Sequence, residues 1–201
     1  MKVGILVIAF VILVTGASPY THAQSPASAT TLLTLSGFGA ATGTRTGLAG
    51  GRNIGVTAGV DLSVAHLSFA NASVEVRSSY PFSKGSTDAY QDLLGGLNFS
   101  RVYGRYCPYG DVLFGRTQIE YENGGYPNPA KTYLYTKSPS NLLSAGGGVD
   151  YDFNETWAIK ADLQWQRYAS PVAVSGYLNA EALSLGAVYR INISRFGRRR
   201  H

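Results

Sequence analysis

From about residue 31 onward this chain alternates apolar and polar residues with a period of two, and that alternation decides what it can fold into. The clearest stretch is Trp157 to Gln166. Trp157, Ile159, Ala161, Leu163 and Trp165 fall on one face, while Ala158, Lys160, Asp162, Gln164 and Gln166 fall on the other. A period of 3.6 would mix the two sets, so the segment is a strand.

The same grammar marks four other clean strands: Asn53 to Val64, Ala70 to Tyr80, Leu143 to Phe153, and Leu183 to Ser194. Leu32 to Ala41, Gln91 to Arg101 and Tyr106 to Tyr121 alternate less regularly. In the last, Arg116, Gln118 and Glu120 share a face but Asp111 falls opposite; either Pro108 marks an irregular start or a bulge switches the phase. The count is eight strands.

Links between strands two and three, four and five, and six and seven are a few residues long, near Ala65-His66, Tyr103-Gly104 and Asn154-Glu155. The remaining links run to roughly 10 to 19 residues and are rich in turn formers. Alternating short turns and long loops is the habit of an up-and-down transmembrane barrel, with its turns in the periplasm and its loops outside. The expected fold is therefore all-β: an eight-stranded antiparallel up-and-down transmembrane β-barrel over residues 31–196.

The first 23 residues read as an export signal: Lys2, an apolar run from Val3 to Val14, and small residues at Thr21 and Ala23 before Gln24. Twelve apolar residues span about 18 Å as a helix against a hydrocarbon core of about 30 Å, too short for an anchor. Residues 24–30 form a short linker and 197–201 a basic tail. Beyond Gln24 no apolar run suits a membrane helix, and a content of 24 Gly and 14 Tyr with 14% charged residues is poor in solvated surface. Cys107 is the sole cysteine, which excludes an internal disulfide framework and Cys₄ metal sites. The net charge of +5 lies partly in Arg198 to Arg200. It suits attraction to anionic lipopolysaccharide rather than to nucleic acid, for which no basic, aromatic-interleaved patch exists.

In a membrane barrel the apolar face points outward. The polar face here carries small residues, Gly55, Gly59, Gly146, Gly148 and Gly186, among its charges, which suits a cramped interior. The residues expected inside as a paired network are Glu75, Arg77, Arg116, Glu120, Asp150, Asp152, Lys160, Asp162 and Arg190. An open diffusion pore is not expected. Trp157 and Trp165, eight residues apart, would stand about 20 Å apart in height on a strand tilted by about 40°, one at each rim of an apolar band of about 25 Å. Tyr151 and Phe153 would join the periplasmic girdle, and Tyr80 and Tyr121 the outer one.

The run Tyr106-Cys107-Pro108-Tyr109-Gly110-Asp111-Val112-Leu113-Phe114-Gly115 resembles a strand of the OmpA-like outer-membrane β-barrel family. Ala145 to Tyr151 followed by Trp157 to Asp162 is similar to that family's next hairpin. The likeness covers about residues 31 to 196. It implies a structural or surface-interaction barrel in the bacterial outer membrane of a Gram-negative cell, inserted by the outer-membrane assembly machinery. Ser184-x-Gly186-x-x-Tyr189-x-Ile191 resembles the insertion signal, although Gly197 to His201 follow the terminal aromatic Phe196. A peptidoglycan-binding domain, carried by larger members, is not expected.

Some small barrels modify lipid A with a histidine at the outer surface. Here His22 lies in the signal, His66 in a turn expected on the periplasmic side, and His201 at the last position. Gly146 to Gly148 lacks the Lys-Ser/Thr of a phosphate loop, and Asp150 with Asp152 reads as part of the lumen network. The chain is expected to be a monomer without catalytic activity, cofactor or metal. Its loops, above all Glu122 to Ser140 with Tyr126, Tyr133 and Tyr135, would meet an extracellular partner of unspecified identity. A narrow channel for small solutes is the alternative.

Overall fold

The computed structural model describes residues 34–48, 51–83, 88–122 and 124–192. The signal segment 1–23, the linker 24–30, the barrel residues 31–33 and 193–196, and the tail 197–201 lie outside the described residues. Among those described, every regular element is a strand: β1 (Thr34–Arg45), β2 (Arg52–His66), β3 (Asn71–Ser83), β4 (Asp88–Ser100), β5 (Tyr106–Tyr121), β6 (Tyr126–Pro127), β7 (Leu134–Tyr135), β8 (Lys137–Asp152), β9 (Trp157–Ala169) and β10 (Tyr177–Asn192).

Eight of these close a barrel in the order β1-β10-β9-β8-β5-β4-β3-β2, while β6 and β7 form a small separate hairpin. All pairings are antiparallel, from Thr34↔Asn192 between β1 and β10 around to Asp61↔Glu75 between β2 and β3. Closure pairs each described barrel strand with a neighbour on both sides along the wall, the β3–β4 ladder ending at Ser79↔Asp92 toward the loop end; an open edge in hydrocarbon would leave backbone N–H and C=O groups without partners.

The turns at 67–70, 101–105 and 153–156 lie at one end with the start of β1 and the end of β10, here called the turn end. Gly104, at a φ of 63°, takes the left-handed conformation between the bridged Tyr103 and Tyr106. In the turn before β9, Asn154 Oδ1 accepts the backbone N–H groups of Thr156 at 2.9 Å and Trp157 at 2.8 Å.

The opposite, loop end corrects the expected loop lengths. Strands run further than their amphipathic cores: β1 to Arg45, β8 from Lys137, β9 to Ala169 and β10 from Tyr177. The links 46–51, 84–87 and 170–176 are accordingly short, and 122–136, which carries the β6–β7 hairpin, is the long one. A membrane strand needs about 9–11 residues, so strands of 12 to 16 residues lift this end clear of the hydrocarbon.

The outward face is apolar along the middle of the wall. Phe114, Leu183 and Leu185 are 61, 63 and 62% exposed, and Ile54, Val60, Leu97 and Leu163 are exposed beside them. An apolar belt carried by β2, β3, β4, β5, β8, β9 and β10 is far larger than the patches a water-soluble monomer exposes; hydrocarbon is the medium that wets it.

Candidate functional site: a filled lumen and a basic outer rim

Inward-facing residues fill the barrel in layers. Near mid-height Arg77 gathers three acids: it bonds Glu75, reaches Asp162 Oδ2 at 2.9 Å and Asp111 Oδ2 at 3.1 Å. Neutral donors serve the same carboxylates. Tyr109 Oη donates to Asp162 at 2.8 Å, Asn98 Nδ2 to Glu75 at 2.9 Å, and Gln164 Nε2 to Asp111 at 2.9 Å and Asp162 at 3.0 Å. One cation facing three acids holds together because each acid has such a second donor.

Toward the turn end Lys160 Nζ stands 3.8 Å from the Tyr109 ring centroid and 4.8 Å from that of Phe38, with Asp150 Oδ1 at 3.8 Å. The rings offset part of what a buried ammonium loses on leaving water, and Asp150 supplies the counter-charge. Arg190 bonds Asp152 and reaches Asp150 Oδ2 at 3.1 Å. A cavity of about 240 Å³ opens here, lined by Asp61, Asn98, Tyr109, Asp150, Lys160 and Arg190 among others. Two glycines give the rings their room. A Cβ on Gly59 would fall 2.5 Å from Phe38, and one on Gly148 2.6 Å from Tyr109.

Toward the loop end polarity fades. Thr42 hydroxyl lies 2.7 Å from that of Thr57 and 2.8 Å from Ser184, and Tyr90 Oη donates to Gln166 at 2.8 Å. Above them Leu94, Leu113, Ile119, Tyr121, Leu142 and Tyr168 form a buried apolar cluster. Leu48, Tyr126, Tyr135 and Leu178 from the loop end pack onto it. The lumen is thus plugged by its own side chains, as eight-strand geometry favours.

Of the residues expected inside, Glu75, Arg77, Asp150, Asp152, Lys160, Asp162 and Arg190 lie in these two ionic groups. Arg116 and Glu120 do not. β5 keeps one phase throughout, with Cys107, Tyr109, Asp111 and Leu113 buried, so Arg116 and Glu120 point outward. Glu120 there pairs with Lys137 Nζ at 2.8 Å. The same phase corrects Tyr121, which is buried in the lumen cluster and belongs to no girdle. Pro108 sits within β5 at an outward position, and no bulge interrupts the β4–β5 or β5–β8 pairing.

The other girdle residues face outward. Trp157, Tyr151 and Phe153 cluster at the turn end, where Trp157 packs on Tyr189 at 4.9 Å and Tyr151 on Tyr106 at 5.2 Å and Phe153 at 5.5 Å. Trp165 and Tyr80 are exposed further toward the loop end. Sequence reading missed Asp111, Tyr109, Asn98 and Gln164 as network members, and Tyr106 and Tyr189 as girdle members. Strict odd and even counting along β5 would have found Asp111 and Tyr109.

Beyond the apolar belt the outward face turns polar at a single step: Ile54 gives way to Arg52, Gly43 to Arg45, Phe114 to Arg116, Trp165 to Arg167 and Leu183 to Glu181. Arg167 lies over the ring of Tyr177, 4.7 Å from its centroid. With the outward Lys137 and Glu120 added, five cations against two acids on the described strands make this rim basic. His66 ends β2 at the turn end, its Nδ1 2.7 Å from Asn71 Oδ1. Among the described residues no group of three or more His, Cys, Asp or Glu is placed to hold a metal ion.

No family model matches this sequence, and no curated protein matches it. Solved structures do. Neisserial surface protein A aligns with a TM-score of 0.52 at 13% identity, over 80% of this chain and 97% of its own. Ail, the attachment invasion locus protein of Yersinia pestis, in complex with the heparin analogue sucrose octasulfate, gives 0.48 at 13% identity, over 79% of this chain and 97% of its own. The N-terminal β-barrel domain of Pseudomonas aeruginosa OprF gives 0.41 at 17% identity, over 78% of this chain and 97% of its own. The fold of this chain is that of a small eight-stranded outer-membrane barrel.

Proposed function

We propose that this chain is a noncatalytic protein of the bacterial outer membrane, one of the OmpA-like surface barrels, with its turn end in the periplasm and its loop end outside. Its task is structural or surface interaction, carried by the segment from Glu122 to Ser140. The observation that carries the reading is the lumen: a solute entering past Asp150 and Lys160 meets the Arg77 network and then the apolar plug. Among the described residues, charges already paired inside and leucines packed above stand in the way of a solute. What the lumen does not offer, the loop end does: Tyr133 and Leu134 are exposed on the β6–β7 hairpin, and Val174 on the link before β10. Exposed aromatic and aliphatic groups of this kind serve as contact residues. The solved relative from Neisseria is itself named a surface protein.

The expected result in planar bilayers is an absence of discrete conductance steps. Steps that vanish on substitution of Arg77 or Lys160 would overturn the surface reading in favour of a channel.

A further inference from the structure

A groove of about 480 Å³ runs along the outer wall near the loop end, where β10, β1 and β2 lie side by side. Its lower walls are Ile54, Leu163 and Leu183, all exposed, and its floor includes Gly43. At its upper end stand Arg45 and Arg52, partners across the β1–β2 pairing, with Glu181 opposite Arg45 on β10. Neither arginine makes an ion pair among the described residues. Like charges directly opposite on adjacent strands destabilise a sheet. The one acid leaves the trio with a net positive charge, so an external anion is what the pair lacks.

We infer that this groove binds a phosphorylated, multiply acylated glycolipid of the outer leaflet, its phosphate held by Arg45 and Arg52 and an acyl chain lying along Ile54, Leu163 and Leu183. The inference rests on the orientation proposed above, which puts the loop end in that leaflet. Charge complementarity favours a phosphate: guanidinium forks grip its oxygens bidentately, and two forks suit a dianion better than one. The apolar walls directly below select a phosphate that carries chains. The groove meets the belt at the level where Leu183 gives way to Glu181, which is where headgroup and hydrocarbon meet.

Protein whose folded state is verified by heat-modifiable migration is mixed in micelles with lipid A, phosphatidylglycerol or phosphatidylcholine, and retained lipid is read by native mass spectrometry. One lipid A should be retained, with phosphatidylglycerol held about tenfold less well. Retention should fall about tenfold or more in Arg45→Gln/Arg52→Gln, and also in Arg52→Gln alone if the double variant does not fold. Arg116→Gln, on β5 and three strands from β2 and β10, should keep it. Undiminished retention in the folded Gln variants, equal retention of phosphatidylglycerol, or a protein dimer occupying the face instead of lipid overturns the site. Protease access to Asn128 to Tyr133 in whole cells tests the orientation separately.

Discussion

Arg77 is the side chain on which the lumen depends. It is 3% exposed and is the shared partner of Glu75, Asp111 and Asp162. Removing a buried partner leaves its counter-charges uncompensated, so Arg77→Ala should lower unfolding stability in lipid vesicles by about 3–5 kcal/mol, read from urea titration. Arg190→Ala should cost less, because Arg190 sits at the cavity mouth with its side chain 19% exposed and Asp150 keeps Lys160 nearby. Equal losses would mean that the two ionic groups are not layered by burial as described. Much of this network was legible in the sequence, since Glu75, Arg77, Asp150, Lys160, Asp162 and Arg190 stand on the polar side of clean alternation. Tyr109 and Tyr121 do not show their side by residue type, because an aromatic ring serves equally as packing inside a filled barrel and as girdle outside; only counting along β5 in one phase places them inside.

Strand boundaries were the least legible feature, for a reason visible in β1 and β8. The outward positions of β1 are Gly37, Gly39, Ala41 and Gly43, so no apolar periodicity announces it. In β8 the first residues, Lys137 to Asn141, have left the hydrocarbon and carry polar groups on both faces. Strand there is maintained by pairing with β5, from Glu120↔Lys137 onward, rather than by any pattern of its own. The loop that follows β5 divides similarly into a structural and a free part. Tyr126 and Tyr135 are paired across the β6–β7 hairpin and pack on the plug, whereas Tyr133 at its tip is 68% exposed. Replacing Asn128 to Tyr133 with a Gly-Ser linker should therefore leave stability within about 0.5 kcal/mol and abolish any loop-dependent contact. Tyr126→Ser should instead lower stability by about 1–3 kcal/mol, measured in the same titration. A stability loss from the linker as large as that from Tyr126→Ser would show that the tip, too, belongs to the plug.

The architecture as a whole inverts the usual arrangement of a soluble domain: ions and amides inside, aliphatic and aromatic groups outside. Period-two alternation specified that inversion only up to a choice of which face meets water, and the crowding of Gly59 against Phe38 and Gly148 against Tyr109 shows why the charged face needs glycine at those positions to take its rings inside. The two tryptophans report the outer medium directly, being 49% exposed at Trp157 and 44% at Trp165 and the sole tryptophans in the chain. The protein reconstituted in vesicles of lipids brominated at successive acyl positions should lose fluorescence to bromine, most strongly to bromine near the headgroup, and should be little affected by aqueous iodide. Emission that ignores every brominated lipid and is quenched by iodide would contradict a wall wetted by hydrocarbon.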